Sequence, residues 1–292
     1  MKVLITGITG FVGSHLAIHL NSLGYEVAGL SRPGSSPPEF LSKTKLWSAS
    51  EDGEGFREAL TRFRPDVVVH LAALYIPEHR AEDIAPLMRA NIQYGTYLLE
   101  AMQEAGCNAM VFAGTSWQHY HDASYCPANL YAATKQAFSC LADYYRDAHG
   151  LRLLELHLYD CYGPSDPRKK LIHHLQNSAR SGLPLPMSNG EQRIHLLHID
   201  DLTRGLSQAC GHVLNFSPAH RALYRLPSPE AISLRELVTQ FNEANPGQPA
   251  QIVWGKLPYR KREIFSPWEE GEVLPGWAPH ITLAKGLRNI CR

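Results

Sequence analysis

The chain has 292 residues, and 28 Lys and Arg balance 28 Asp and Glu for a formal net charge of zero. That balance excludes the basic excess of a dedicated nucleic-acid binder. A composition of 44% hydrophobic against 19% charged residues excludes a disordered chain and suits one large or two ordinary globular domains.

Residues 2–6 (KVLIT) are a β-branched, apolar run suited to a buried parallel strand. After a glycine-rich turn, residues 11–23 space Val12, Leu16, Ile18, Leu20 and Leu23 as a helix, with Gly24 ending it. Residues 25–30 (YEVAGL) form a second strand, and 32–38 (RPGSSPP) a loop. A short helix is read at 55–63 and a third strand at 66–71 (DVVVHL). A long helix follows at 86–105, with Pro86 in its first turn. The next elements are a strand at 109–113, a helix at 131–148 and a strand at 151–159. Strands alternating with helices predict an α/β fold: a Rossmann-type, doubly wound parallel sheet. Proline and glycine at 163–167 and 182–190 break this pattern, and Ser233 with Glu236 opens a further helix as a capping box. The expected division is a nucleotide-binding domain at 1–164 and a smaller, mainly substrate-binding lobe at 165–292. Within that lobe, about 193–226 should return to the sheet.

Six cysteines are scattered without a C-x-x-C pair, and no His/Cys cluster has zinc-ligand spacing, so reduced thiols and no metal site are expected. His173-His174 and His195 with His198 lack a third ligand at a persuasive spacing. The opening MKVLITGITG carries no signal-peptide pattern, and no apolar run nears the roughly 18 residues of a membrane helix. The expectation is a cytoplasmic protein with neither membrane nor nucleic acid as partner.

Gly7, Gly10 and Gly13 fall in TGITGFVG between the first strand and the first helix. Glycines there allow a tight turn and close backbone approach, and the helix N-terminus offers free N–H groups to a pyrophosphate. An NAD site usually carries a carboxylate at the end of the second strand. Here that end reads Gly29-Leu30-Ser31-Arg32, and a hydroxyl followed by a guanidinium suits a 2′-phosphate. NADP(H) is therefore expected, with NAD(H) as the alternative.

Tyr131 and Lys135 stand four apart at the start of a helix and so share one face. An ammonium beside a phenol should draw the phenol's pKa down toward proton exchange. Ser116, just past the strand at 109–113, adds a hydroxyl that could orient a carbonyl. It could equally be a turn cap.

With TGITGFVG at 6–13, DVVVHLAA at 66–73, NIQYGTYLLEA at 91–101, YAATK at 131–135, YGP at 162–164 and HIDDL at 198–202, the sequence resembles the extended short-chain dehydrogenase/reductases. The likeness is to their nucleotide-sugar epimerase/dehydratase/reductase group. It implies Tyr131 as acid/base, Lys135 on the nicotinamide ribose and Ser116 as the catalytic hydroxyl, with Thr115 the second choice. It implies a cofactor site built from Gly7, Thr9, Gly10, Phe11, Val12, Gly13, Ser31, Arg32, Leu71 and Ala72, together with Tyr131 and Lys135. Asn91 would anchor a helix or relay a proton. Arg193 and Arg260 would meet the substrate diphosphate, while Tyr75, Trp117, Gln118 and His119 would line the sugar pocket. A homodimer through the helices at 91–105 and 131–148 is also implied.

Departures from the family pattern narrow the chemistry. The 4,6-dehydratases carry an Asp-Glu pair after the catalytic hydroxyl, where this chain has Trp117-Gln118. A 4-epimerase retains NAD, whereas a reductase must exchange spent cofactor, commonly NADPH. The Asn before YGP is Asp160 here, and the C-terminal stretch resembles 4-ketoreductases of the CDP-abequose and CDP-paratose synthase type. The expected activity is NADPH-dependent C4 reduction of a nucleotide-diphosphate 4-keto-6-deoxyhexose, with a 4-epimerase as alternative. A non-catalytic NADPH-binding regulator ranks below both.

Overall fold

The computed structural model describes residues 1–35, 41, 42 and 44–291. The far end of the loop read at 32–38 lies outside them, as does residue 292. The first half runs β1 (Lys2–Thr6), α1 (Phe11–Ser22), β2 (Glu26–Ser31), β3 (Lys45–Ser48), α2 (Phe56–Phe63), β4 (Val67–His70), α3 (Ile84–Met88), α4 (Tyr94–Ala105), β5 (Ala109–Thr115), α5 (Leu130–His149) and β6 (Arg152–Leu158). It continues with β7 (Asp160–Tyr162), α6 (Leu171–Ser181), β8 (Leu185–Pro186), β9 (Arg193–Ile194), β10 (Leu196–His198), α7 (Ile199–Leu214), β11 (Arg221–Leu226), β12 (Ile232–Ser233), α8 (Leu234–Ala244), β13 (Ile252–Val253) and α9 (Leu283–Ile290).

Seven strands form one parallel, Rossmann-type sheet in the order β11-β6-β5-β4-β1-β2-β3. Helices cover both faces, which is why β1 and β4 are apolar without alternation. Val3, Ile5, Leu16, Leu206 and Val213 pack on one face, and Leu4, Phe56, Leu98 and Phe138 on the other. A third apolar cluster joins Tyr162, Leu175, Leu237, Phe241 and Leu287 beneath α6, α8 and α9. Strand order reverses at β1, which lies between β2 and β4. The carboxyl edge at such a switch point is where open α/β sheets bind ligands.

In the first half of the chain two elements differ from expectation. β3 (KLWS) was not anticipated, because a four-residue edge strand bearing Lys and Ser lacks an apolar run. The helix expected at 86–105 is broken by a π-helical turn at Arg89–Gln93. Asn91, in that turn, accepts from Leu74 N at 2.7 Å and donates to Thr134 Oγ1 at 2.9 Å. It thereby anchors the segment to α5.

An ionic cluster sits under β6. The Glu155 carboxylate, 1% exposed, accepts from Ser139 Oγ (2.8 Å), His157 Nε2 (2.8 Å) and Arg221 Nη2 (2.5 Å), and Arg221 also grips Asp143. Burial would raise the Glu155 pKa, but His157, Arg221 and Ser139 overcome it and hold the acid at about 2. The folded pKa is depressed, so this stabilisation is complete above the unfolded value of 4.5 and fades as pH falls through about 2. Glu155→Gln should cost about 3–5 kcal/mol at pH 7 by taking from Arg221 its buried carboxylate and leaving it Asp143 alone. Its urea midpoint should also fall less steeply than the parent's between pH 4.5 and 2. Equal slopes would remove Glu155 from the acid limb.

Candidate active site

The glycine turn is fixed by contact. Gly7 has φ +68°, and a Cβ there would lie 2.8 Å from Ala72 N. A Cβ on Gly13 would meet Gly7 O at 2.3 Å. Gly10 is the N-cap of α1 and has no capping side chain, and the first turn holds no acid, so its N–H groups stay free for an anion. The Thr6 hydroxyl accepts from Leu71 N and Ala72 N, both at 3.1 Å, which ties the end of β1 to the loop after β4. Its own proton then goes to His70 Nδ1 at 2.8 Å. That assignment puts the His70 ring proton on Nε2, a buried atom without a partner among the described residues. Burial, then Lys135, holds the His70 pKa down to about 3 and the ring neutral.

Thr9 and Val12 are half-buried in this turn, and the Arg168 guanidinium lies 4.3 Å above the Phe11 ring. Ser31 ends β2 and donates weakly to Trp47 O at 3.5 Å, with Arg32 exposed just beyond. A cradle that a Cβ would fill and an uncapped helix N-terminus fit the pyrophosphate of a dinucleotide, with an exposed guanidinium at the end of β2.

Ser116 follows β5 in a single 3-10 turn, Ser116–Gln118. Thr115, not Ser116, is the cap: its Oγ1 accepts from Trp117 N at 3.3 Å, while Gln118 Oε1 accepts from Thr115 N at 2.9 Å. Ser116 thus keeps its hydroxyl for the cleft it lines. Gln118 corrects its assignment to the sugar pocket, because its side chain is fully buried and bonded to Gln136 at 2.8 Å. His119 also turns inward, 3.8 Å from the Trp268 ring and bonded to His157 at 2.8 Å. Alternation past a strand end does not fix side-chain direction once a 3-10 turn intervenes.

Asn129 caps α5 by accepting from Ala132 N at 2.9 Å, which starts the helix one residue before Tyr131. The Tyr131 ring meets Tyr75 edge-on at 5.1 Å, and Tyr75 meets Trp117 at 5.8 Å. Lys135 is 4% exposed and makes no hydrogen bond among the described residues; burial drops its ammonium to about 8. The expected depression of the Tyr131 pKa by Lys135 does not occur here. Burial pushes the phenol above its ordinary value, and the leading charge that opposes this is Lys170, from α6's N-terminus.

Ser116, Tyr75 and Trp117 open onto two adjoining chambers of about 430 and about 630 Å³, which share Pro77, Glu78, Trp117, Asp160, Ile194, Arg260 and Glu263; Tyr131, behind Tyr75, and Lys135 line neither. The first is lined by Ser116, Tyr159, Arg193 and Trp268, the second by Tyr75, Lys169, Lys170 and Tyr259. Arg260 lies 5.8 Å over the Trp117 ring, and Arg193 donates to Ala231 O and faces Glu236 at 4.0 Å. In the first chamber Arg193, Arg260, Lys261 and Arg262 outnumber Glu78, Asp160 and Glu263, so a neutral chain presents a positive cleft. Lys170, Arg262 and Trp268 were not anticipated, since no spacing rule links them to Tyr131. Among the described residues, no group of three or more His, Cys, Asp or Glu is placed to hold a metal, and no helix is long and apolar enough to cross a membrane.

The model of the NAD dependent epimerase/dehydratase family matches residues 3–220. CDP-abequose synthase of Yersinia pseudotuberculosis is 23% identical over 268 residues, spanning 91% of this chain and 92% of the relative. The uncharacterized UDP-glucose epimerase YtcB of Bacillus subtilis (strain 168) is 27% identical, spanning 99% and 96%. The UDP-glucose 4-epimerase of Thermus thermophilus, solved in complex with NAD, superposes with a TM-score of 0.83 at 25% identity, over 99% of this chain and 97% of that one.

Proposed function

This chain belongs to the NAD dependent epimerase/dehydratase family, and from that premise we propose that it reduces the C4 ketone of a nucleotide-diphosphate-linked 4-keto-6-deoxyhexose with NADPH. The observation that carries the proposal is the end of β2, where Ser31 and the exposed Arg32 stand in place of a carboxylate. A guanidinium there favours a 2′-phosphate, and so a cofactor that is exchanged after each turnover. The likeness to a CDP-abequose synthase supports a ketone substrate. Trp117 and Gln118 after Ser116 cannot exchange protons with a sugar carbon, which disfavours dehydration.

NADPH, bound along the glycine turn, would supply the hydride. Ser116 donates a hydrogen bond to the C4 carbonyl oxygen and polarises it. Tyr131 gives its phenolic proton to that oxygen as C4 becomes a carbinol, so the C=O π bond is replaced by one C–H and one O–H bond. Lys135 holds ribose hydroxyls of the cofactor. Arg193 and Arg260 take the substrate diphosphate, and Tyr75 with Trp117 walls the reacting carbon from water.

The test mixes the protein with NADPH and CDP-, dTDP-, GDP- and UDP-linked 4-keto-6-deoxyhexoses and follows the absorbance of the reduced nicotinamide. Loss of NADPH with at least one of them is expected; no loss with any sinks the proposal. Arg32→Asp should move the preference toward NADH, and an unchanged ratio removes the cofactor assignment. The UDP-glucose epimerase likeness favours a second reading, a 4-epimerase. NAD retained through purification would support it.

A further inference from the structure

Asp160 and Lys170 form an ion pair that the mechanism above does not use. Asp160 opens β7, Lys170 is the N-cap of α6, and Lys170 Nζ lies 2.7 Å from Asp160 Oδ1. The pair is half-buried at the seam of the two chambers, where an ion pair is weak support for stability. Lys170 Nζ also lies 4.9 Å from the centre of the Tyr75 ring, which in turn packs on Tyr131. The charges of β7 and α6 are thereby aimed, through Tyr75, at the phenol on α5.

We propose that Asp160 and Lys170 are positioning residues for proton transfer at Tyr131, with Lys170 the ammonium set behind Tyr75 on the side facing the phenol and Asp160 the carboxylate that anchors it there. This rests on the reading of Tyr131 as the acid.

The surrounding charges agree. Burial raises the Tyr131 pKa; Lys170 lowers it, while Tyr75, Asp160 and Cys161 raise it. Lys170 is itself opposed by burial, but Asp160, Cys161 and Tyr75 raise its pKa overall, so it stays charged. Burial likewise opposes the Asp160 carboxylate, and Lys170, Arg168 and Arg260 prevail to lower its pKa. Arg168 is tied to Asp166 at 2.7 Å, and on α5 Lys135 faces Glu155. Both members of the pair are therefore ionised at neutral pH; Lys135, held at about 8 by burial, titrates before the phenol, whose limb is the one that responds to changes in the pair.

The two partners act on Tyr131 with opposite sign, which separates this role from a structural one. In the pH profile of kcat/KM for NADPH-dependent reduction, Lys170→Met should move the limb belonging to Tyr131 upward by on the order of one unit. Asp160→Asn should move it downward, and Lys170→Arg should restore the parent position. Shifts of the same sign in both variants, or none, overturn the inference. The same field is read without turnover by Tyr131→Cys, whose alkylation by iodoacetamide is followed against pH by peptide mass spectrometry. Thiolate should form at higher pH with Lys170→Met and at lower pH with Asp160→Asn. Coincident midpoints overturn the inference even where reduction proceeds. Split midpoints with no NADPH consumed sustain it and overturn only the proposed reaction.

Discussion

Tyr131→Phe should lower the rate of NADPH consumption by on the order of 10²–10⁴-fold, the usual contribution of a positioned acid, while NADPH affinity stays close to the parent's. The substitution removes one oxygen and leaves the ring against Tyr75, so packing at the start of α5 is preserved. Ser116 cannot replace the lost proton donor, because a hydroxyl of ordinary acidity beside it has no base to restore its proton. Single-turnover rates with fluorescence titration of NADPH separate the outcomes. A rate within about tenfold of the parent, well short of that contribution, assigns the proton to Ser116 or water. A matching loss of NADPH affinity makes Tyr131 a binding residue.

Lys135→Met should stabilise the cofactor-free protein by about 3 kcal/mol at pH 7 while abolishing turnover. The size follows from burial alone: an ammonium whose pKa falls from 10.5 to about 8 is disfavoured by about 1.4 kcal/mol per unit. Lys135 is 4% exposed, so little solvent screening reduces this. The sign is set by proton binding. Between pH 8 and 10.5 the unfolded chain holds more protons than the folded one, so the parent's stability rises with pH across that window. The Met variant should stay flat, and the two urea curves should converge near pH 10.5. A Met variant less stable than the parent at pH 7 would mean that the ammonium is satisfied before any cofactor arrives. NADPH should narrow the gap by binding only the folded parent.

How much of this was legible in sequence depended on whether a residue's partner lay nearby along the chain. The parallel sheet and the turn at Gly7, Gly10 and Gly13 were readable because apolar runs and glycine spacing are local signals. Tyr131 and Lys135 were readable for the same reason, four residues apart on one helix. β3 carries no such signal; its pairing with β2 makes it a strand. The direction of Gln118 depended on the cap at Thr115 and on Gln136, a turn and a helix away. Lys170 was invisible as a charge near Tyr131 because only the fold brings the N-terminus of α6 to Tyr75, which packs on Tyr131. The acidity of Tyr131 was misjudged for a related reason: spacing reveals a neighbouring charge but not the burial that opposes it.

The place of β11 in the sheet has a consequence for assembly. Arg221–Leu226 pairs with Leu153–Leu158 of β6, yet everything from β7 through α7 must be made before it arrives. Until then β6 presents an open edge of unpaired N–H and C=O groups between apolar side chains, a template for pairing with another chain. The long closure also makes folding slow. On a ribosome, the first half of the chain would wait with β6 unpaired on one side. A chain cut before residue 221 should aggregate, whereas one cut beyond residue 274 keeps β6 paired with β11 and keeps β11 bonded to the segment at 272–274.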